Sequence, residues 1–150
     1  SKDQPDVFLT CISKIVPASF ISGRVILNAH PGLLPENRGL DAFKWSIINA
    51  RPVGVSLHAI DENIDRGTLL HRIKIPVLPS DTLQDVAQRS YETECDLQSN
   101  FEHYLPQLKV GLRVTDEHPL STKRVPADLD TRLEAIFLEN KESLITLSTE

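Results

Sequence analysis

Two short segments near the start of the chain are apolar along nearly their whole length, with no alternation between apolar and polar residues. Residues 7–12 read VFLTCI and residues 24–28 read RVILN. Side chains of a strand point alternately to the two faces of a sheet, so a continuous apolar run is typical of a strand that is covered on both faces. The two runs therefore predict buried strands of an α/β fold.

Further along the chain, helical and extended patterns follow one another. Residues 41–49 and 127–141 have the spacing of amphipathic helices, and residues 68–78 are typical of a long strand. Residues 53–60 alternate between apolar and polar side chains, which predicts a strand with one polar side. Together these patterns predict a mostly parallel sheet with covering helices.

The longest predicted helix begins near Asp81, which stands in the capping-box relation to Gln84. Its apolar residues, Tyr91 among them, recur at helical spacing as far as Tyr104, so this stripe should cover the sheet. Glu94 lies on the same stripe. It is either a buried carboxylate that needs a partner or a residue at an edge of the stripe that reaches solvent.

Composition excludes several classes of protein. The chain has 150 residues, a net charge of −5 and 40% hydrophobic residues, which suits one soluble globular domain and offers no basic surface for nucleic acid. No apolar run is long enough to cross a membrane. Cys11 and Cys95 belong to no metal-ligand spacing, so we expect no metal, and buried thiols in a cytoplasmic, reducing location.

Three polar residues follow the apolar strands. Asn28 and His30 stand at the end of the second run, and Asp65 lies in the turn 61–67. Asn28 and His30 are two residues apart, so in an extended chain their side chains point to the same face. A histidine, an amide and a carboxylate can together transfer protons and stabilise an oxyanion. A histidine that is simply hydrogen-bonded to a loop carbonyl is the alternative.

Four motifs occur in order along the chain. They are NAHPGLLP at 28–35, RG at 38–39, GVSLH at 54–58 and IDRG at 64–67. This combination resembles the formyltransferase family that uses 10-formyltetrahydrofolate, and the likeness extends from about residue 5 to about residue 105. The resemblance implies a partial Rossmann-like formyltransferase fold. It also implies a catalytic core at 1–110, followed by a C-terminal extension with a short helix at 111–150.

By this resemblance, Asn28, His30 and Asp65 match the catalytic residues of the family. The implied reaction is the direct attack of a substrate amine on the formyl carbon, with His30 and Asn28 stabilising the tetrahedral oxyanion. Asp65 would keep His30 charged or accept the proton of the amine. Ser56 and His58 match supporting residues that flank the same site.

The resemblance further implies a pterin pocket with two walls. One wall is the segment 11–16 and the other is the turn 61–65, and backbone groups of both could hydrogen-bond the pterin ring of 10-formyltetrahydrofolate. The cofactor-binding residues expected in these walls are Ile12, Lys14, Ile15, Val16, Asp61, Asn63 and Ile64. Lys14 stands where many members of the family have arginine.

The formyl acceptor implied by the resemblance is the primary amine of a small nucleotide-linked substrate. Arg38, Gly39 and Trp45 favour a sugar-nucleotide amine. The alternatives are a phosphoribosylglycinamide formyltransferase, a formyltetrahydrofolate deformylase that uses water, and a catalytically inactive folate-binding fragment.

Family members carry a segment before Ser1 that includes their first strands and, in the purine enzyme, a loop that holds the phosphate of the acceptor. We therefore expect this chain to be a fragment or to need a partner that completes its sheet. Strands that are apolar on both faces leave an exposed edge when a neighbour is missing, which predicts self-association into a homo-oligomer.

Overall fold

Five strands lie side by side in the order of the chain in the part that the structure describes. The structure is a computed structural model and describes residues 7–11, 16–61, 67–115 and 121–150. The strands are β1 (Val7–Thr10), β2 (Val25–His30), β3 (Gly54–Ala59), β4 (Gly67–Lys74) and β5 (Arg113–Val114). The two apolar runs of the sequence are the strands β1 and β2, but the predicted burial holds only for β2, since no residue of β1 is fully buried and Leu9 is 45% exposed.

The direction of the strands differs from the expectation. Strand β1 runs parallel to β2, whereas the three pairs from β2 to β5 are antiparallel. Among the described strands the sheet is therefore mixed, and a mostly parallel sheet is not confirmed. Burial on both faces does not itself require parallel pairing, and the short connection from β3 to β4 allows only an antiparallel pair.

Six helical segments surround the sheet in the described ranges. They are α1 (Ala18–Ile21), α2 (Ala42–Ile48), α3 (Leu83–Ser99), the 3₁₀ helix (Phe101–Lys109), α4 (Ala127–Asp130) and α5 (Leu133–Thr149). The three predicted helices are present, but the long one divides at Asn100, where an α-helix gives way to a 3₁₀ helix that contains Pro106, and the last one divides into α4 and α5. None of the helices in these ranges is long and apolar enough to span a bilayer.

The start of α3 corrects one detail of the sequence prediction. The N-cap is Thr82, whose hydroxyl accepts from the backbone N–H of Asp85 while the Asp85 carboxylate accepts from the Thr82 N–H. Asp81 instead accepts from the Leu78 N–H and pairs with Arg89, whose guanidinium holds the pKa of this carboxyl below its ordinary value. The capping box thus lies one residue later than Asp81 and Gln84.

Strand β4 ends at Lys74, four residues before the predicted end. Ile75 and Val77 are buried, but the N–H of Ile75 bonds to the carbonyl of Val53, and that of Val77 bonds to the hydroxyl of Ser148 on α5. The ladder ends at this point because Pro76 has no backbone N–H to donate, and the N–H of Val77 then finds its partner on α5.

The core lies between the sheet and the helices and includes the end of the chain. Leu133, Phe137 and Leu144 of α5 pack in the same buried cluster as Leu27 and Leu57 of the sheet. The helix α5 is longer than the predicted segment because its apolar face continues as far as Leu144. The predicted division at residue 110 stays a prediction.

Three side chains are more exposed than predicted. Tyr91 is 61% exposed, so it does not belong to the stripe of α3 that covers the sheet. Cys11 and Cys95 are both exposed free thiols, which corrects the expectation of buried ones. The Cys11 thiol donates to the side-chain carbonyl of Gln98 on α3, 3.0 Å away.

Glu94 is half-buried on α3, and burial raises its pKa to about 7 from an ordinary value of 4.5. A raised pKa in the folded state means that folding favours the protonated carboxyl. The stabilisation that the protonated Glu94 carboxyl gives to the folded state is complete below the pKa of Glu94 in the unfolded chain, and it is lost as the pH rises through about 7. We expect the wild type to lose stability from about pH 5 to about pH 8, and Glu94→Gln to lose less. Urea unfolding at the two pH values, with the exposed residue Glu92 changed to Gln as the control, measures this difference.

Candidate active site

A row of polar side chains occupies one face of the sheet at the carboxyl end of β2. Asn28 pairs with His58 across the antiparallel ladder, and His30 pairs with Ser56. The predicted polar side of β3 is thus real, but it is buried: Ser56 and His58 are fully inaccessible to solvent, and His30 is 3% exposed. Such burial of hydrogen-bonding groups requires partners for them.

Asn28 and His58 contact each other directly. The Asn28 carboxamide Nδ2 donates to Nε2 of His58 at 3.3 Å. The rings of His30 and His58 lie nearly perpendicular, with centroids 6.3 Å apart. Because an amide N–H only donates, the accepting Nε2 of His58 carries a lone pair in this arrangement. Sequence reasoning placed Asn28 and His30 on one face, and the structure brings the predicted supporting residue His58 into contact with Asn28.

His30 is hydrogen-bonded to a loop that crosses the polar face. Its Nε2 donates to the backbone carbonyl of Asn37 at 2.8 Å. We call residues 31–39 the site loop. Gly32 lies against this bond, since a Cβ at Gly32 would stand 2.7 Å from the Asn37 carbonyl oxygen and 2.9 Å from the His30 Nε2. The close approach of the loop to His30 therefore depends on a residue without a side chain.

Side chains of the sheet anchor the site loop. The Ser56 hydroxyl donates to the carbonyl of Gly32 at 2.7 Å and accepts from the N–H of Leu34 at 2.9 Å. Arg72 of β4 donates to the Leu34 carbonyl at 2.9 Å and forms an ion pair with the Glu36 carboxylate. The Ser56 hydroxyl therefore supports the site loop by bonding to backbone groups of the loop, which is a physical basis for its expected supporting role.

The C-terminal part of the chain holds the far end of the site loop. The N–H of Thr122 donates to the carbonyl of Arg38 at 2.7 Å, and the N–H of Leu40 donates to the carbonyl of Thr122 at 3.0 Å. The indole of Trp45 on α2 donates to the carbonyl of Lys123 at 2.7 Å. Trp45 thus contributes to the attachment of this segment in the structure.

The predicted pterin walls are described only in part. Val16 is half-buried just before α1, and Asp61 is half-buried with its carboxylate 4.0 Å from the guanidinium of Arg113. The remaining predicted residues of this site lie outside the described residues. They are Ile12, Lys14, Ile15, Asn63, Ile64 and the catalytic candidate Asp65.

Two residues of the site were missed by sequence reasoning. Asn37 and Arg72 carry the contacts of the site loop, but neither stands in an apolar periodicity or next to another candidate. A polar residue between prolines and glycines is ordinary in a loop, so the sequence offered no signal for the burial of Asn37. In the described ranges no group of three His, Cys, Asp or Glu side chains could hold a metal ion.

Comparisons with known proteins identify relatives of the chain. Residues 2–100 match the family model described as formyl transferase. Phosphoribosylglycinamide formyltransferase of Haemophilus influenzae is 34% identical over 70 residues, which are 46% of this chain and 33% of that protein. A dTDP-4-amino-4,6-dideoxyglucose formyltransferase of Mycobacterium bovis is 35% identical over 81 residues, 54% of this chain and 35% of that protein.

A solved structure shares the fold. It is a formyltransferase from Anoxybacillus kamchatkensis in complex with UDP-4,6-dideoxy-4-formamido-L-AltNAc and tetrahydrofolate, with a TM-score of 0.66 and 22% identity. The match covers 97% of this chain and 79% of that chain. The chain spans about a third of the length of the two curated relatives described above. On the match to the family model over 2–100, this chain belongs to the formyl transferase family, and its sheet and helices form part of a Rossmann-like formyltransferase fold.

Proposed function

We propose that the protein transfers a formyl group from 10-formyltetrahydrofolate to the primary amine of a small nucleotide-linked substrate, with a sugar-nucleotide amine as the favoured acceptor. The observation that carries this proposal is the buried polar face at the end of β2. There an amide and two imidazoles lie together under a loop that is anchored at both ends. A family of formyl transferases supplies the reaction class.

The described side chains suit an oxyanion that develops on a formyl group. A carboxamide nitrogen has two N–H donors, so Asn28 can donate one to His58 and the other to the oxyanion. His30 supplies a second polar group on the same face of β2 and acts in proton transfer. Asp65 is proposed to keep His30 charged or to accept the proton of the attacking amine.

The folate site is proposed at the two segments that follow β1 and β3. Thr10, the last residue of β1, pairs with Asn28, and Ala59, the last residue of β3, pairs with the adjacent Leu27. Strand β1 therefore ends in the direction of the end of β2, whereas β3 runs the opposite way and the N–H of Ile60 still donates to the carbonyl of Ile26. The proposed walls of the folate site are the segments 11–16 and 61–65 that follow these two strands. Their proposed folate-binding residues are Ile12, Lys14, Ile15, Val16, Asp61, Asn63 and Ile64.

The preference for a sugar-nucleotide amine rests on sequence similarity, including the residues Arg38, Gly39 and Trp45. A relative named for an amino-sugar nucleotide, the dideoxyglucose formyltransferase, is 35% identical to the chain over 81 residues. Phosphoribosylglycinamide is the second candidate acceptor, because the purine enzyme is 34% identical to the chain. Water, and a folate-binding fragment without activity, are the remaining alternatives.

A direct assay tests the proposed function. The full-length protein is incubated with 10-formyltetrahydrofolate and one acceptor at a time: a nucleotide-linked 4-amino sugar, phosphoribosylglycinamide, or none. We expect a formamido sugar nucleotide to form fastest, together with tetrahydrofolate. Equal release of tetrahydrofolate without an acceptor would indicate a deformylase. Binding of the folate without turnover on any acceptor would contradict an enzymatic role.

We also propose that the chain of 150 residues self-associates through β1. This strand lies at one end of the described sheet, and Leu9 is 45% exposed on it. Pairing of strand edges removes unpaired backbone groups and apolar side chains from water. Light scattering at micromolar concentration should give a mass above the 16.8 kDa of one chain, and a monomer would contradict self-association.

A further inference from the structure

Asn37 is a buried polar residue of the site loop with contacts on both of its sides. Its side-chain Nδ2 donates to the carbonyl of Ala42 and to the hydroxyl of Ser46, each at 2.8 Å. Both acceptors lie on α2, and Ser46 is itself buried. The N–H of Asn37 donates to the carbonyl of Leu33, which closes a turn within the loop. The residue is thereby held in one orientation.

The backbone carbonyl of the same residue faces the imidazole of His30. It stands 2.8 Å from Nε2, and a carbonyl oxygen only accepts hydrogen bonds. The ring nitrogen that faces it must therefore carry a hydrogen. Because a neutral imidazole carries one N–H, the lone pair of neutral His30 is then on Nδ1.

We propose that Asn37 is a positioning residue that holds neutral His30 in the Nε2–H tautomer, so that Nδ1 is the nitrogen that gains or releases the proton during formyl transfer. This inference rests on the proposed function. The side-chain amide fixes the loop to α2, and the fixed loop places the carbonyl against His30. The orientation of a histidine is commonly set in this way by the partner of its other ring nitrogen.

The chain contains a matched control for this role. Asn140 of α5 donates its Nδ2 to the carbonyls of Ile47 and Ile48, 2.9 and 3.3 Å away, at the opposite end of α2. Asn37→Ala and Asn140→Ala therefore each remove an asparagine amide that holds α2. Asn37→Ala alone removes the support of the carbonyl that contacts His30.

The test compares the two variants in the full-length protein labelled with ¹⁵N-histidine. In the wild type we expect a Nε2–H resonance of His30 that exchanges slowly with water. In Asn37→Ala this exchange should accelerate by about tenfold or more, and kcat should fall by about tenfold with little change in KM. Asn140→Ala should alter neither readout, even where it lowers thermal stability.

A milder variant keeps the test decisive if Asn37→Ala does not fold. Ser46→Ala removes one of the two acceptors and should produce a smaller acceleration of the same exchange. The positioning role would be overturned if the His30 resonances were unchanged in Asn37→Ala or, where that variant does not fold, in Ser46→Ala. It would also be overturned if Asn140→Ala changed the resonances equally. The resonances need no turnover, so a wild type that lacks formyl transfer would contradict the proposed function and leave the tautomer test intact.

Discussion

His30→Ala in the full-length protein is expected to reduce the kcat of formyl transfer by about a hundredfold or more. The imidazole lies on the same face of β2 as Asn28 and contacts the site loop through the Asn37 carbonyl, so alanine removes the proton-transferring group without replacing it. We expect the KM for 10-formyltetrahydrofolate to change little, because the proposed pterin walls are other segments of the chain. Steady-state kinetics at saturating acceptor measures both parameters.

His71→Ala is the matched control. His71 pairs with Leu57 and stacks on Tyr104 of the 3₁₀ helix, with ring centroids 4.7 Å apart, so it belongs to the sheet without contacting the site loop. Its kcat per folded molecule should stay within about twofold of the wild type. A His30→Ala enzyme with wild-type turnover would remove His30 from the mechanism, whatever its geometry.

Phe137→Ala should lower the free energy of unfolding by about 3 to 5 kcal/mol. The ring is completely buried and packs in the same cluster as Val53, Ile75 and Val77 beside the sheet. Its removal therefore opens a cavity in the core of the sheet and not only under α5. Urea denaturation should show one cooperative transition at a lower midpoint.

Leu138→Ala provides the comparison, because Leu138 is the next residue of α5 and is 63% exposed. Truncation of an exposed side chain on the same helix should change stability by about 0.5 kcal/mol or less. A separate, early transition in Phe137→Ala, with the sheet unfolding at the wild-type midpoint, would show that α5 is an independent extension.

The strands were predictable wherever burial alone decided them. The run at β2 is apolar and largely buried, and the alternation of β3 reports its polar side, whereas β1 is apolar but only partly covered. Burial did not reveal strand direction, although the short connection between β3 and β4 already requires an antiparallel pair. The early end of β4 could have been predicted, because Pro76 lies two residues after Lys74 and cannot donate a backbone hydrogen bond to a ladder.

Some residues of the candidate site could likewise be predicted from the sequence, and others could not. Asn28 and His30 could be placed on one face from their spacing, and His58 and Ser56 from the alternation of β3. The role of Asn37 could not be predicted, because its side chain bonds to α2 while its backbone bonds to His30. Such a residue is recognised only when the path of the loop in space is known.

The sheet order, in which each strand lies beside its predecessor in the chain, has a consequence for folding during synthesis. Neighbours in sequence pair early because their encounter costs little loop entropy. As the ribosome releases the chain, β2 can pair with β1, β3 with β2 and β4 with β3 before α5 has been made. Leu133, Phe137 and Leu144 arrive last, so the apolar interior of the nascent sheet stays open to chaperones until α5 emerges and closes it.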